Sequence, residues 1–123
     1  MKPGPQPKAR ILIVEDEPMI ALDLEDMLAD ADFEIAGVAA SVEKALQFID
    51  SRVFDFAVLD VNLGGFSARP AALALLACGV PYVVMSGYST GQQPVVLRNA
   101  VLLTKPVEPA RIIQALRNLL RVR

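Results

Sequence analysis

Short apolar runs, each closed by a polar residue, alternate along this chain with stretches that repeat at helical spacing. Ile11-Leu-Ile-Val14 comes first, a continuous run of the kind expected of a strand buried on both faces. It stops at Glu15-Asp16-Glu17. Pro18 suits the first turn of a helix, where a missing N–H costs nothing. Ile20, Leu24, Met27, Leu28 and Ala31 then recur on one helical face. Ile35 to Ala39 reads as a second strand, and Ser41 as the N-cap of a helix lined by Val42, Ala45, Leu46 and Ile49. Phe56 to Leu59 is a third strand, ending at Asp60. Gly64-Gly65 marks a loop, and Pro70 to Cys78 a short helix stopped by Gly79. Tyr82 to Met85 is a fourth strand, ending at Ser86-Gly87. Val101 to Leu103 is a fifth, ending at Thr104-Lys105-Pro106. Ile112, Ile113, Leu116, Leu119 and Leu120 line a last helix. Parallel strands need crossovers, and crossovers are right-handed, so the pattern predicts an α/β doubly wound five-stranded parallel sheet. Ser89 to Ala100 fits least well; the fourth helix is expected to be irregular or shortened.

Composition narrows the chemistry. The 123 residues include no histidine, which removes Ser-His-Asp and Cys-His nucleophile pairs and imidazole-based zinc sites. Cys78 is the single cysteine, so no intrachain disulfide forms, and the chain reads as cytoplasmic. A net charge of −2 offers no field for nucleic acid, and no run approaches membrane-spanning length. Residues 1–8, with three prolines and a glycine, read as a disordered tail before a single domain over 9–123.

Ligands of open parallel sheets bind outside the carboxyl ends of the strands. Those ends carry Glu15 and Asp16, Asp60, Ser86 and Lys105. Three carboxylates on one rim repel each other, and a divalent cation with a taste for oxygen ligands, Mg2+, offsets that. Lys105 and Ser86 suit a phosphoryl group beside such an ion. Carboxylates can themselves be phosphorylated, and Asp60, alone at its strand end before a loop, is the natural nucleophile. Taken singly, each residue is ordinary. Asp60 fits a strand-end turn, Glu15-Asp16 a helix start, Lys105-Pro106 a turn and Ser86-Gly87 a loop. Their joint placement carries the reading. Met19, Met27, Met85 and Cys78 read as core fillers, Tyr82 as packed on the sheet, and Arg111, Arg117, Arg121 and Arg123 as a solvated helix face.

From about Arg10 onward the chain resembles the receiver domain of bacterial two-component response regulators. The resemblance rests on Ile11-Leu-Ile-Val-Glu-Asp-Glu17, Val58-Leu-Asp-Val-Asn-Leu63, Val83-Val-Met-Ser-Gly87 and Thr104-Lys-Pro106, in that order. It implies a flavodoxin-like sheet of order 2-1-3-4-5. It implies that Asp60 accepts a phosphoryl group from a sensor histidine kinase or a histidine phosphotransfer protein. Asp16, Asp60 and the backbone carbonyl of Asn62 would hold Mg2+, with Glu15 acting through water. Lys105 would pair with the phosphoryl group, Ser86 would move toward it, and the Lys105-Pro106 bond would be cis. Such a protein is a phosphoacceptor that assists its own phosphotransfer and dephosphorylation rather than an enzyme.

Pro81-Tyr-Val-Val-Met-Ser-Gly-Tyr88 and Asp60-Val-Asn-Leu-Gly-Gly65 further resemble a subgroup of stand-alone receivers with a FATGUY motif, in which a regular fourth helix is missing. Two positions depart from most receivers. Leu102 stands where an aromatic switch residue is usual, which leaves Tyr88 as the candidate switch, and Val107 replaces the phenylalanine after Lys-Pro. The chain ends at its last helix, so output is expected through an unknown downstream protein, or as a phosphate sink or relay. A receiver cut from a larger regulator or hybrid kinase, and a phosphorylation-independent interaction module, are the alternatives. An aspartyl phosphatase is disfavoured by Asn62, where such enzymes carry a second acid.

Overall fold

The computed structural model describes residues 8–51, 53–60, 62–63, 66–86, 100–105 and 107–121. Strand β1 (Arg10–Val14) leads into helix α1 (Pro18–Asp30), strand β2 (Glu34–Ala39), helix α2 (Val42–Ser51) and strand β3 (Phe56–Asp60). Two short strands follow, β4 (Asn62–Leu63) and β5 (Phe66–Ser67). Then come helix α3 (Arg69–Cys78), strands β6 (Tyr82–Ser86) and β7 (Ala100–Thr104), and helix α4 (Pro109–Arg121). The main sheet has five strands in the order β2-β1-β3-β6-β7, and every adjacent pair is parallel. Numbering these five alone gives 2-1-3-4-5, as the resemblance implied.

Both faces of the sheet are covered, which is why the strands are mostly apolar between their polar ends. Leu12, Val14, Ala57, Leu59, Tyr82 and Val84 meet Ala45 and Ile49 of α2 and Ala71 and Leu75 of α3. Ile11, Ile13, Phe56, Val58, Val83 and Met85 meet Leu24 and Leu28 of α1 and Ile112 and Leu116 of α4. Alternate residues of one strand thus feed two cores, as a two-residue side-chain period requires.

The helix ends follow the expected local chemistry. Pro18 opens α1. Ser41 caps α2, its Oγ accepting from the Lys44 N–H at 3.2 Å. Gly79 closes α3 at φ 73°, with its N–H donating to Leu76 and that of Val80 to Leu75. At the amino end of the sheet the Arg10 N–H donates to Asp55 Oδ2 at 2.8 Å, and its guanidinium to the Val53 carbonyl at 2.7 Å.

Two expectations change. Met19 is not core but 74 % exposed, and Ile20 and Leu46 sit at the margin, each 38 % exposed. A helix against a sheet buries only the stripe that Ala21, Leu24 and Leu28 occupy on α1. The segment after Asp60 is not only a loop, because Asn62↔Ser67 and Leu63↔Phe66 pair antiparallel. Asp60 itself is buried, at 4 % exposure. The irregular stretch expected from Ser89 lies, up to residue 99, outside the described residues. So do Tyr88, Gly64-Gly65, the Lys105-Pro106 bond through Pro106, and residues 1–7 of the tail. Lys8 is exposed and pairs with Asp32 at 3.4 Å.

Candidate functional site

The sheet order reverses direction between β1 and β3. The first crossover leads from β1 outward to β2, and later ones lead from β3 toward β7. A crevice at the carboxyl ends of the strands opens at such a point. The residues just past Val14 and at the end of β3 fill it.

Glu15 continues β1, its N–H donating to the Ala39 carbonyl at 2.9 Å. Its Oε2 accepts from the Glu17 N–H at 3.2 Å, which folds the chain back toward α1 and places Asp16 at the bend. Asp60 is the last residue of β3. Glu15, Asp16 and Asp60 each bring one carboxylate oxygen to within 4.8 Å of the others. From the far side of the sheet, Lys105 follows β7 and its ammonium lies 2.8 Å from Asp60 Oδ2. Ser86 ends β6 and pairs in register with Thr104, one strand over from Asp60. Asn62 stands two residues beyond Asp60, in β4.

Among the described residues, carboxyl groups outnumber cations at the site. Glu15 is only 1 % exposed. Burial first, and then the neighbouring Asp60 charge, push its carboxyl up from 4.5 to about 7, against the opposing pull of the Glu17 N–H and Lys105. Its Oε1 is buried and has no hydrogen-bond partner among the described residues. Among the described residues, the Lys105 ammonium meets a cluster of three carboxyl groups. An all-oxygen donor set with an orphaned buried acceptor is the chemistry that a hard divalent cation matches, so these residues fit Mg2+.

The structure brings Glu15, Asp16, Asp60 and Lys105 together, and the backbone puts Ser86 and Asn62 at the same end of the sheet. Leu102 lies on β7 opposite Val84, half-buried against the core beneath α2 and α3. An apolar cleft of about 530 Å3 between α1 and α4 was not foreseen. Ile20, Met27, Met85 and Ile112 line it, with Glu15 and Lys105 at its edge. Its signal in the sequence was Ile20, set at the edge of the stripe that α1 buries.

The sequence model of the response regulator receiver domain matches residues 11–117. The chain belongs to that family. Among curated proteins, this receiver is 33 % identical over 109 residues to the phyllosphere-induced regulator PhyR of Methylorubrum extorquens, covering 83 % of the chain but 40 % of that protein. The chain therefore spans less than half the length of that relative. Among solved structures, it is 39 % identical to SdrG from Sphingomonas melonis Fr1, covering 92 % of this chain and 97 % of that one at a TM-score of 0.76. The receiver domain of PhyR from Erythrobacter litoralis is 28 % identical, with 92 % and 90 % covered and a TM-score of 0.77. Among the described residues no helix is long and apolar enough to cross a membrane.

Proposed function

We propose that this receiver takes a phosphoryl group on Asp60 from a phosphohistidine of a sensor kinase or a histidine phosphotransfer protein, and signals in the cytoplasm through contact with another protein. The carrying observation is the Lys105 ammonium held 2.8 Å from Asp60 Oδ2 inside a three-carboxylate cluster. The chain has no histidine of its own, so the donor is a separate group. An Asp60 carboxylate oxygen forms the new bond to phosphorus as the donor's P–N bond breaks, and the electron pair leaves with the imidazole nitrogen. Lys105 then exchanges its carboxylate partner for a phosphoryl oxygen, and Ser86 offers a hydroxyl from the adjacent strand end. Asp16, Asp60 and the Asn62 carbonyl hold Mg2+, with Glu15 behind them. The ion supplies charge neutralisation for the transferring group. In support, SdrG, at 39 % identity, has a solution structure described as its BeF3-activated conformation.

The residues have the roles of a self-assisted phosphoacceptor, not of an enzyme with a turnover substrate. Tyr88 remains the candidate switch partner of Ser86, since Leu102 has no aromatic ring to move. Coverage of 40 % of the Methylorubrum PhyR supports a second reading, in which this chain is the receiver part of a longer regulator. The test is incubation with a small acyl phosphate and Mg2+, followed by intact-mass measurement. A phosphorylated species is expected for the wild type and none for Asp60→Asn. Equal labelling of both proteins rejects the assignment.

A further inference from the structure

The pair of short strands after Asp60 has a consequence for the metal site. Only residues 64 and 65 separate β4 from β5, and Leu63 faces Phe66 while Asn62 faces Ser67. Across so short a connection, the Leu63–Phe66 pair is the one that exchanges both backbone hydrogen bonds. Antiparallel pairs alternate, so the Asn62–Ser67 pair exchanges none. The N–H and C=O of Asn62 therefore face away from β5. A ladder of two pairs is marginal by itself, so its population responds to anything that holds it. We infer that the β4–β5 hairpin is the positioning device for the metal. Its Leu63–Phe66 hydrogen bonds fix the backbone that turns the Asn62 carbonyl outward, two residues from Asp60, and Leu63 and Phe66 act as positioning residues through their main chain.

This rests on the Asn62 carbonyl as a ligand and goes beyond it, because it ties Mg2+ affinity to hydrogen bonds that touch no ligand. Coupling is reciprocal: what strengthens ion binding when the hairpin forms must strengthen the hairpin when the ion binds.

The experiment replaces single backbone amides by esters in the full chain made by protein ligation. An ester at residue 66 deletes the N–H that the Leu63 carbonyl accepts. An ester at residue 67 deletes an N–H directed away from β4 and only weakens the Phe66 carbonyl that accepts from the Leu63 N–H. Mg2+ titration followed by NMR is expected to show an affinity drop of about tenfold for the first, the size typical of groups that orient metal ligands. The second, which weakens one of these bonds without deleting it, is expected to show a clearly smaller drop. Amide shifts of β1 and β3 report whether the sheet is intact. In the unmodified chain, Mg2+ is expected to slow hydrogen exchange at the Leu63 and Phe66 amides. Equal affinities for the two esters, or exchange at both amides indifferent to Mg2+, overturn the inference. Failure of the unmodified chain to bind Mg2+ at all overturns the metal reading instead.

Discussion

The Lys105 ammonium and the Asp60 carboxylate are 2.8 Å apart, yet their surroundings differ: the lysine side chain is 39 % exposed and the aspartate 6 %. Water thus solvates the cation, while burial leaves the anion less water to offset the loss of an ion-pair partner. Lys105→Gln keeps a donor on a side chain one bond shorter and removes the charge. Unfolding in urea without divalent ions is expected to show a loss of about 1.5–3 kcal/mol, the range for a hydrogen bond to a charged group. A wild-type-like midpoint would mean that the aspartate is stabilised by its other neighbours alone.

Glu15 sets the pH response. Its folded value of about 7 lies above the ordinary 4.5. Below pH 4.5 both folded and unfolded chains hold the proton, and the contribution of this residue is fully present. Between about 4.5 and 7 only the folded chain holds it, so stability falls as pH rises, by up to about 3 kcal/mol. Urea midpoints without divalent ions are expected to fall between pH 5 and pH 8, and Glu15→Gln is expected to flatten that fall. Mg2+ favours the ionised cluster, so it should restore most of the loss at pH 8. A Glu15→Gln protein with an unchanged slope would assign the pH response elsewhere.

Gly37 makes room for a ring. A Cβ there collides with the Phe48 ring of α2. Between Ile11 and Leu12 the β1–β2 register slips by one residue, so Gly37 directly follows an irregular step in β2. Gly37→Ala is expected to cost about 1–3 kcal/mol, the usual penalty for overpacking. Phe48→Leu in the same chain should recover part of it, giving a double-mutant cycle with a favourable coupling. Additive losses would show that the two sites do not share space.

What could be read from the residues alone followed from where apolar runs stop. Val14 and Leu59 directly precede Glu15 and Asp60, and Leu103 stands two residues before Lys105, because a strand buried on both faces turns polar at its ends. Periodicity said less where an element is too short to show a period. Asn62-Leu63 and Phe66-Ser67 contribute two residues each, and only the intervening Gly64-Gly65 hinted at a hairpin rather than a plain loop. Nor does spacing reveal depth. Glu15 and Asp16 are adjacent in an acidic triplet, but the strand ladder carries Glu15 inward to the Ala39 carbonyl while Asp16 sits at the bend. On α1, hydrophobicity overstated burial, since Met19 and Leu22 face solvent at 74 % and 52 %.

Asp32 holds the turn between α1 and β2 in a left-handed conformation, φ 74°, where most side chains crowd their own carbonyl. Aspartate is among the few non-glycine residues that tolerate this region. Its exposed pairing with Lys8 at 3.4 Å adds little, since surface ion pairs contribute only about 0–1 kcal/mol. The backbone, not the charge, therefore decides the outcome of substitution. Asp32→Gly is expected to leave stability unchanged or slightly raised, and Asp32→Val to lower it by about 1–2 kcal/mol. Thermal unfolding at two salt concentrations separates the causes. A conformational cost persists in high salt, whereas a loss that vanishes there would assign the role to the Lys8 pair.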